Sequence, residues 1–195
     1  LLKRIQKNDT EELAIIEKIM QTSNDLDVII HDMTGILEIR KGSGKQFEVI
    51  SLEKVLLETM DLLSREIQSS SAIIQYDFPL SHIKSDQAYI KNIFYNLISN
   101  ANKYKSPKRV PVIEITSSQE NQWVIIVFRD NGIGMDMERF KGKIFGLYQR
   151  FNFDVEGKGL GLQLVKSQVE LLGGKILIES EIDAGTRFII RFPVQ

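Results

Sequence analysis

The chain contains no cysteine. That excludes a disulfide framework, a thiolate zinc site and a cysteine nucleophile, and it fits a reducing cytosol. Histidine is nearly as scarce: His31 and His82 are the only two, too few for a histidine-rich metal site. An excess of either charge is also missing. Lys plus Arg number 25 against 26 Asp plus Glu, a net charge of -1. This argues against nonspecific nucleic-acid binding, which needs a strong positive excess. No apolar run approaches the ~20 residues of a membrane-spanning helix; the longest, Trp123 to Phe128, is of strand length. Leu1-Leu2-Lys3 carries neither an initiating Met nor a signal-peptide pattern, so the chain reads as a piece of a longer protein.

What remains is ordinary for a globular chain. With 195 residues, 43% of them hydrophobic and 26% charged, there is room for one full domain and an appendage. The first forty residues are charged and helical, with Leu13, Ile16, Ile19, Met20, Leu26, Ile29, Ile30, Met33, Ile36 and Leu37 forming one amphipathic stripe. It stops at the Gly-rich break Lys41-Gly42-Ser43-Gly44. A helix of that length needs a partner helix.

From Phe47 the pattern changes. Ser51 caps a second helix whose apolar face is Leu52, Val55, Leu56, Leu63 and Ile67. Ala72 to Phe78 reads as a strand, and Pro79 and Ser81 break it, leaving His82 as a surface residue in a loop. Asp86 to Tyr104 is the clearest helix, with Ile90, Ile93, Phe94, Leu97, Ile98 and Ala101 on one face. Val112–Thr116 and Trp123–Arg129 are predicted strands. An irregular Gly-rich stretch follows, then a helix over Leu160 to Leu172. A hairpin of Lys175–Ser180 and Arg187–Pro193 turns through Asp183-Ala184-Gly185. Helices and strands mix without regular βαβ alternation, which favours an α+β fold, a mixed sheet backed by helices.

Two glycine clusters stand out. Asp130-Asn131-Gly132-Ile133-Gly134 follows a hydrophobic strand, and Gly157-Lys158-Gly159-Leu160-Gly161 opens a helix. Glycines before a helix let backbone N–H groups approach an anion, aided by the helix dipole. Lys158 in that loop, with Lys141, Lys143 and Arg150 before it, is placed to neutralise phosphate. Neither cluster is a P-loop or a G-x-G-x-x-G fingerprint, and read alone each is equally a set of turns and caps. The preceding helix adds Asn92, Asn96, Asn100 and Lys103, a recurring row opposite the apolar face. Asn is a poor helix former. Its side-chain oxygen is a hard, neutral ligand that suits Mg²⁺; read alone, the row is a solvated polar face.

Together these elements resemble the ATP-binding domain of sensor histidine kinases, within the superfamily of gyrase, Hsp90, MutL and histidine kinases. Asn96-Leu97-Ile98-Ser99-Asn100-Ala101-Asn102-Lys103-Tyr104 is similar to its N box and Asp130-Asn131-Gly132-Ile133-Gly134 to its G1 box. Ile144-Phe145-Gly146-Leu147-Tyr148-Gln149-Arg150-Phe151 resembles the F box, Gly157-Lys158-Gly159-Leu160-Gly161-Leu162 the G2 box, and Gly185-Thr186-Arg187-Phe188 the closing G-T-x-F element. The resemblance implies a two-layer α/β sandwich of the Bergerat type over 46–195. It makes residues 1–45 the C-terminal part of a dimerising, phosphoacceptor helical hairpin.

It also implies ATP and Mg²⁺ as cofactors and assigns roles. Asp130 would accept a hydrogen bond from the adenine amino group, with Gly132 and Gly134 letting the backbone lie close to the base and Thr186 supporting Asp130 through hydroxyl or water contacts to adenine. Asn96 and Asn100 would hold Mg²⁺ on the phosphates. Lys103 and Tyr104 would contact phosphate and the base or sugar. The backbone of Gly157, Lys158, Gly159, Leu160, Gly161 and Leu162, with Arg150, would bind the phosphate tail. The lid, 135–156, would close over ATP through Phe145 and Phe151. Lys158 departs from the small hydroxyl residue usual at its position, and either strengthens phosphate binding or crowds the loop.

One substitution separates kinase from hydrolase. The hydrolysing branches begin the N box with a Glu that activates water; Asn96 stands here, and an amide is no general base. Positioning without hydrolysis suits transfer to a protein nucleophile. In the family that nucleophile is a histidine on the first hairpin helix. Ile30-His31-Asp32 invites the assignment, but 26–41 reads as the second helix, and the Arg-x-Pro that normally follows the acceptor is replaced by Thr34-Gly35. The acceptor is therefore expected upstream of Leu1, with His31 as the minor candidate.

The implied partners are a second copy of the full-length protein, through the hairpin, and a response-regulator receiver domain. Nucleic acid is not expected. The implied location is the cytoplasm, whether or not the whole protein is membrane-anchored. Rival readings are a serine-directed kinase of the same superfamily, such as an anti-sigma-factor kinase, and a non-catalytic nucleotide-sensing module.

Overall fold

The computed structural model describes residues 47–140, 144–146 and 160–195. The expected N-terminal helix with His31 lies outside the described residues. So do Lys141, Lys143, Arg150, Phe151, Gly157, Lys158 and Gly159.

A short strand, β1 (Phe47–Ser51), runs into helix α1 (Leu52–Leu62), with the Ser51 side chain accepting from the Lys54 N–H at 3.3 Å. The apolar face expected of one helix is divided: Leu63 interrupts it, and α2 (Ser64–Ser70) follows. Strand β2 (Ile73–Asp77) comes next. Then comes β3 (His82–Asp86), which pairs antiparallel with β1 and places His82 opposite Ser51. His82 is thus an exposed strand residue rather than a loop residue. Its strand alternates exposed His82 and Lys84 with buried Ile83 and Ser85. The Pro79 and Ser81 punctuation masks that short alternation.

Helix α3 (Gln87–Lys103) starts at Asp86, whose carboxylate accepts from the Ala88 and Tyr89 N–H groups at 3.1 and 3.2 Å. All six residues of its expected apolar face are buried. Beyond it lie β4 (Val112–Glu120), β5 (Trp123–Asp130), the single turn α4 (Met137–Phe140), α5 (Gly161–Leu171), β6 (Lys175–Glu181) and β7 (Gly185–Pro193).

The main sheet runs β2-β4-β5-β7-β6, antiparallel except for the parallel β2–β4 pair. Alternate residues of its inner face, Ile113 and Ile115, Val124, Ile126 and Phe128, and Phe188, Ile190 and Phe192, join one core with α1, α3 and α5. The layers meet at Phe94 and Phe128, whose rings are 4.9 Å apart edge to face, an arrangement adding about 0.5–1.5 kcal/mol to the burial itself. The architecture is the expected α+β two-layer sandwich. It brings the C-terminal end of α3, the end of β5 and the β6–β7 turn together at one end of the strands.

Candidate functional site

The asparagines of α3 are not a solvated face. Asn92 and Asn96 are 5% and 7% exposed, and the Asn96 amide N–H donates to the Asn92 backbone carbonyl at 3.0 Å and to its Oδ1 at 2.7 Å. The cause is α5. A Cβ on Gly161 would stand 2.6 Å from Asn96 Oδ1, so only glycine lets the start of α5 close over this carbonyl. Asn100 is half-buried and faces the neighbouring cavity. Asn102 is buried and accepts from the Ser70 hydroxyl, a structural role. The Lys103 ammonium lies 5.7 Å from the Tyr104 ring centroid.

Asp130 ends β5. Its Oδ1 accepts from the Gly132 N–H at 2.8 Å and the Thr186 N–H at 3.3 Å, the latter because Thr186 is its cross-strand neighbour on β7. Withdrawal from water dominates its titration and pushes the carboxyl up to about 6, against the pull of these two N–H groups and of Arg109. Asn131 is a peg. Its Oδ1 accepts from the Val112 N–H and its Nδ2 donates to the Val110 carbonyl, both at 2.9 Å. Gly134 has a φ of +67°, and a Cβ there would fall 1.8 Å from the Glu181 carbonyl oxygen, so no side chain fits between loop and hairpin.

These groups surround a cavity of about 490 Å³. Its wall carries Asn100, Tyr104, Asp130, Gly134, Leu162 and Thr186 of the expected site, together with apolar Ile133, Met135, Phe140 and Phe188. An apolar cavity with a few convergent polar groups is the usual form of a small-molecule site. Among the described residues of the expected site, Asn96, Lys103, Gly132, Leu160 and Gly161 stand outside this wall. No side chain among the described residues caps the start of α5, and the N–H groups of a helix's first turn suit an anionic acceptor. Of the expected lid, Ile144 is buried and the Phe145 ring centroid lies 5.7 Å from Lys166 Nζ on α5. A smaller cavity of about 80 Å³, beside Phe47, His82 and Phe192, shares no residue with the motifs.

Sequence reasoning missed Arg109 and Ser180. Arg109 Nε donates to the Asn131 carbonyl at 2.6 Å, and its Nη2 donates to the Gly132 carbonyl at 2.8 Å and to the Asp183 carbonyl. The Ser180 hydroxyl accepts from the Met135 N–H at 2.9 Å, donates to the Gly185 carbonyl at 2.8 Å, and lies 2.9 Å from Thr186 Oγ1. Neither residue belongs to a motif, and only the fold brings them to the loop.

Residues 85–195 match the family described as histidine kinase-, DNA gyrase B-, and HSP90-like ATPase. The chain is 32% identical over 143 residues to the methanogenesis regulatory histidine kinase FilI of Methanothrix harundinacea, covering 73% of this chain and 16% of that protein. It is 28% identical over 208 residues to the autoinducer 2 sensor kinase/phosphatase LuxQ of Vibrio vulnificus, covering 100% of this chain and 24% of that protein. The chain thus spans a quarter or less of these relatives. In structure it is similar to the catalytic domain of histidine kinase ThkA, with a TM-score of 0.65 and 25% identity over 76% of this chain and 96% of that one.

Proposed function

Because the chain belongs to the family of histidine kinase-, DNA gyrase B- and HSP90-like ATPases, we propose that it is the ATP-binding, phosphoryl-transferring portion of a sensor histidine kinase. The observation that carries this reading is Asn96. It occupies the place where the hydrolysing branches keep a general-base carboxylate, and its amide is held by Asn92. The names of FilI and LuxQ as kinases support the same activity.

Ionised Asp130 accepts a hydrogen bond from the adenine amino group, while Gly132 and Gly134 leave room for the base. The apolar wall from Ile133 to Phe188 covers the ring, and Tyr104 lies against base or sugar. The phosphates run toward the start of α5, where N–H groups of Leu160, Gly161 and Leu162 meet them; Lys158, Gly159 and Arg150, outside the described residues, are the further phosphate contacts that the family motifs imply. Lys103 adds a positive charge.

The donor set fits Mg²⁺: two neutral amide oxygens, Asn96 beside Gly161 and Asn100 on the cavity wall, leave coordination sites for phosphate and water. Mg²⁺, when bound, neutralises phosphate charge. The chain itself orients the γ-phosphoryl and withholds a base from water. The group passes to a histidine ring nitrogen on the hairpin of the full-length dimer, with ADP as leaving group, and from there to a response-regulator aspartate. This portion works on the cytoplasmic side; among the described residues no helix is long and apolar enough to cross a membrane.

The test is incubation with Mg·[γ-³²P]ATP, with and without an added hairpin carrying an H-E/D-x-R-x-P histidine. Acid-labile label is expected on the added hairpin and not on this chain. Label on His31 would move the acceptor into this chain. Fast phosphate release to water without transfer would overturn the kinase reading.

A further inference from the structure

We propose that Arg109 is the positioning residue of the base pocket: its guanidinium holds the two peptides after Asp130 against the β6–β7 turn and so aims their N–H groups and the Asp130 carboxylate. This rests on the reading of Asp130 as the adenine acceptor and deepens it.

The geometry is specific. The peptide between Asn131 and Gly132 is held at both ends: its carbonyl accepts from Arg109 Nε at 2.6 Å, and its N–H donates to Asp130 Oδ1 at 2.8 Å. The next peptide is also held at both ends. Its carbonyl accepts from Arg109 Nη2 at 2.8 Å, and the Ile133 N–H donates to the Tyr104 carbonyl at 2.9 Å. The third carbonyl on the guanidinium belongs to Asp183, in the β6–β7 turn, whose N–H donates to the Ile133 carbonyl at 2.7 Å. A planar fork of fixed donors meets three carbonyls at once; an ammonium has no such geometry.

Asp183 is suited to this contact. It has a φ of +63° in the turn, an uncommon conformation for a residue with a side chain, and its carboxylate is engaged by Lys108. Adjacent cations therefore bind both its carboxylate and its carbonyl.

The consequence reaches Asp130 through a peptide. A cation on a carbonyl polarises that peptide and strengthens the donation from its N–H. Arg109 thus stabilises the ionised carboxylate both directly and through Gly132, in the same direction as its charge effect on Asp130. The other charged side chains on the cavity wall are Asp136 and Arg139, beside and within α4, and Asp183. Arg129 and Arg187 pair with Glu114 and Glu179. His82 lies on β3, in the separate two-stranded sheet.

The experiment measures Mg·ADP affinity by calorimetry from pH 5 to pH 9 for the wild type, Arg109→Ala, Arg109→Lys and Asp130→Asn, with a circular-dichroism melt of each. Arg109→Ala is expected to bind roughly tenfold more weakly at pH 8, and its loss of affinity on acidification to begin roughly one pH unit higher. Arg109→Lys, with the charge but not the fork, should recover more of the pH midpoint than of the affinity. A purely structural role would weaken binding equally at every pH. That result, or binding by Arg109→Ala within twofold of wild type, overturns the proposal. If Arg109→Ala does not fold, Arg109→Gln takes its place under the same criteria. A wild type that does not bind, or an Asp130→Asn that binds like wild type at pH 8, would overturn the adenine-site reading instead.

Discussion

Asp130 places function and stability in opposition. Its carboxyl titrates near 6 in the fold against a reference of 3.8, so folding favours its protonated form. Its contribution is most favourable below about 3.8 and is lost as pH rises through about 6, a difference of roughly 2–3 kcal/mol. Asp130→Asn keeps an Oδ1 for the Gly132 and Thr186 N–H groups and removes the buried charge. The variant should be about 1–3 kcal/mol more stable than wild type at pH 8 and equal to it near pH 4, as read by urea denaturation. It should also lose nucleotide binding, since an amide N–H faces the adenine amino group. Gly161→Ala separates fold from chemistry in another way. Alanine favours helix over glycine by about 1 kcal/mol, yet its Cβ would lie 2.6 Å from Asn96 Oδ1 and must displace that carbonyl. A ten- to hundredfold drop in phosphotransfer, on the scale of a misplaced catalytic group, is expected with a smaller change in Mg·ADP affinity.

At the scale of elements, α3 was the most legible part of the chain, because six apolar residues on one face and an acidic cap are local signals. Its asparagine row was legible as an anomaly but not as a buried one, since burial depends on α5, some sixty residues later. That helix carries a cost of its own. The Gln168 side chain is fully buried, and neither its Nε2 nor its Oε1 has a partner among the described residues. An unpaired buried amide costs about 1–3 kcal/mol. Gln168→Met, similar in volume and without the amide, should raise stability by about 1–2 kcal/mol in urea denaturation at pH 7. The short strands β1 and β3 were less legible. Five residues carry too little alternation to outweigh the turn signals before them, Gly42-Ser43-Gly44 for β1 and Pro79 and Ser81 for β3, and it is pairing with each other that makes them strands.

At the scale of the molecule, the site lies where α3, β5, the β6–β7 turn and α5 converge, so ligand and fold are coupled. Mg·ADP at a hundred times its dissociation constant should stabilise the protein by about 2.7 kcal/mol, seen as a rise in melting temperature that is absent in Asp130→Asn. By itself the sequence determined the α+β class, the principal helix, and the candidates Asp130, Asn96, Asn100 and Gly161. The class and the helix are carried by periodicity, and the candidates by the motifs that resemble the histidine-kinase ATP-binding domain, since read alone the glycine clusters are turns and caps and the asparagine row is a polar face. Tertiary structure alone decided that β2 runs parallel to β4, that Asn92 and Asn96 are buried, and that the Thr186 backbone N–H donates to Asp130. It also recruited Arg109 and Ser180. The physical reason is one of range: hydrophobic period and helix capping act over a few residues and leave a written pattern. A guanidinium reaching three carbonyls on two distant segments leaves none until the sheet has brought them together.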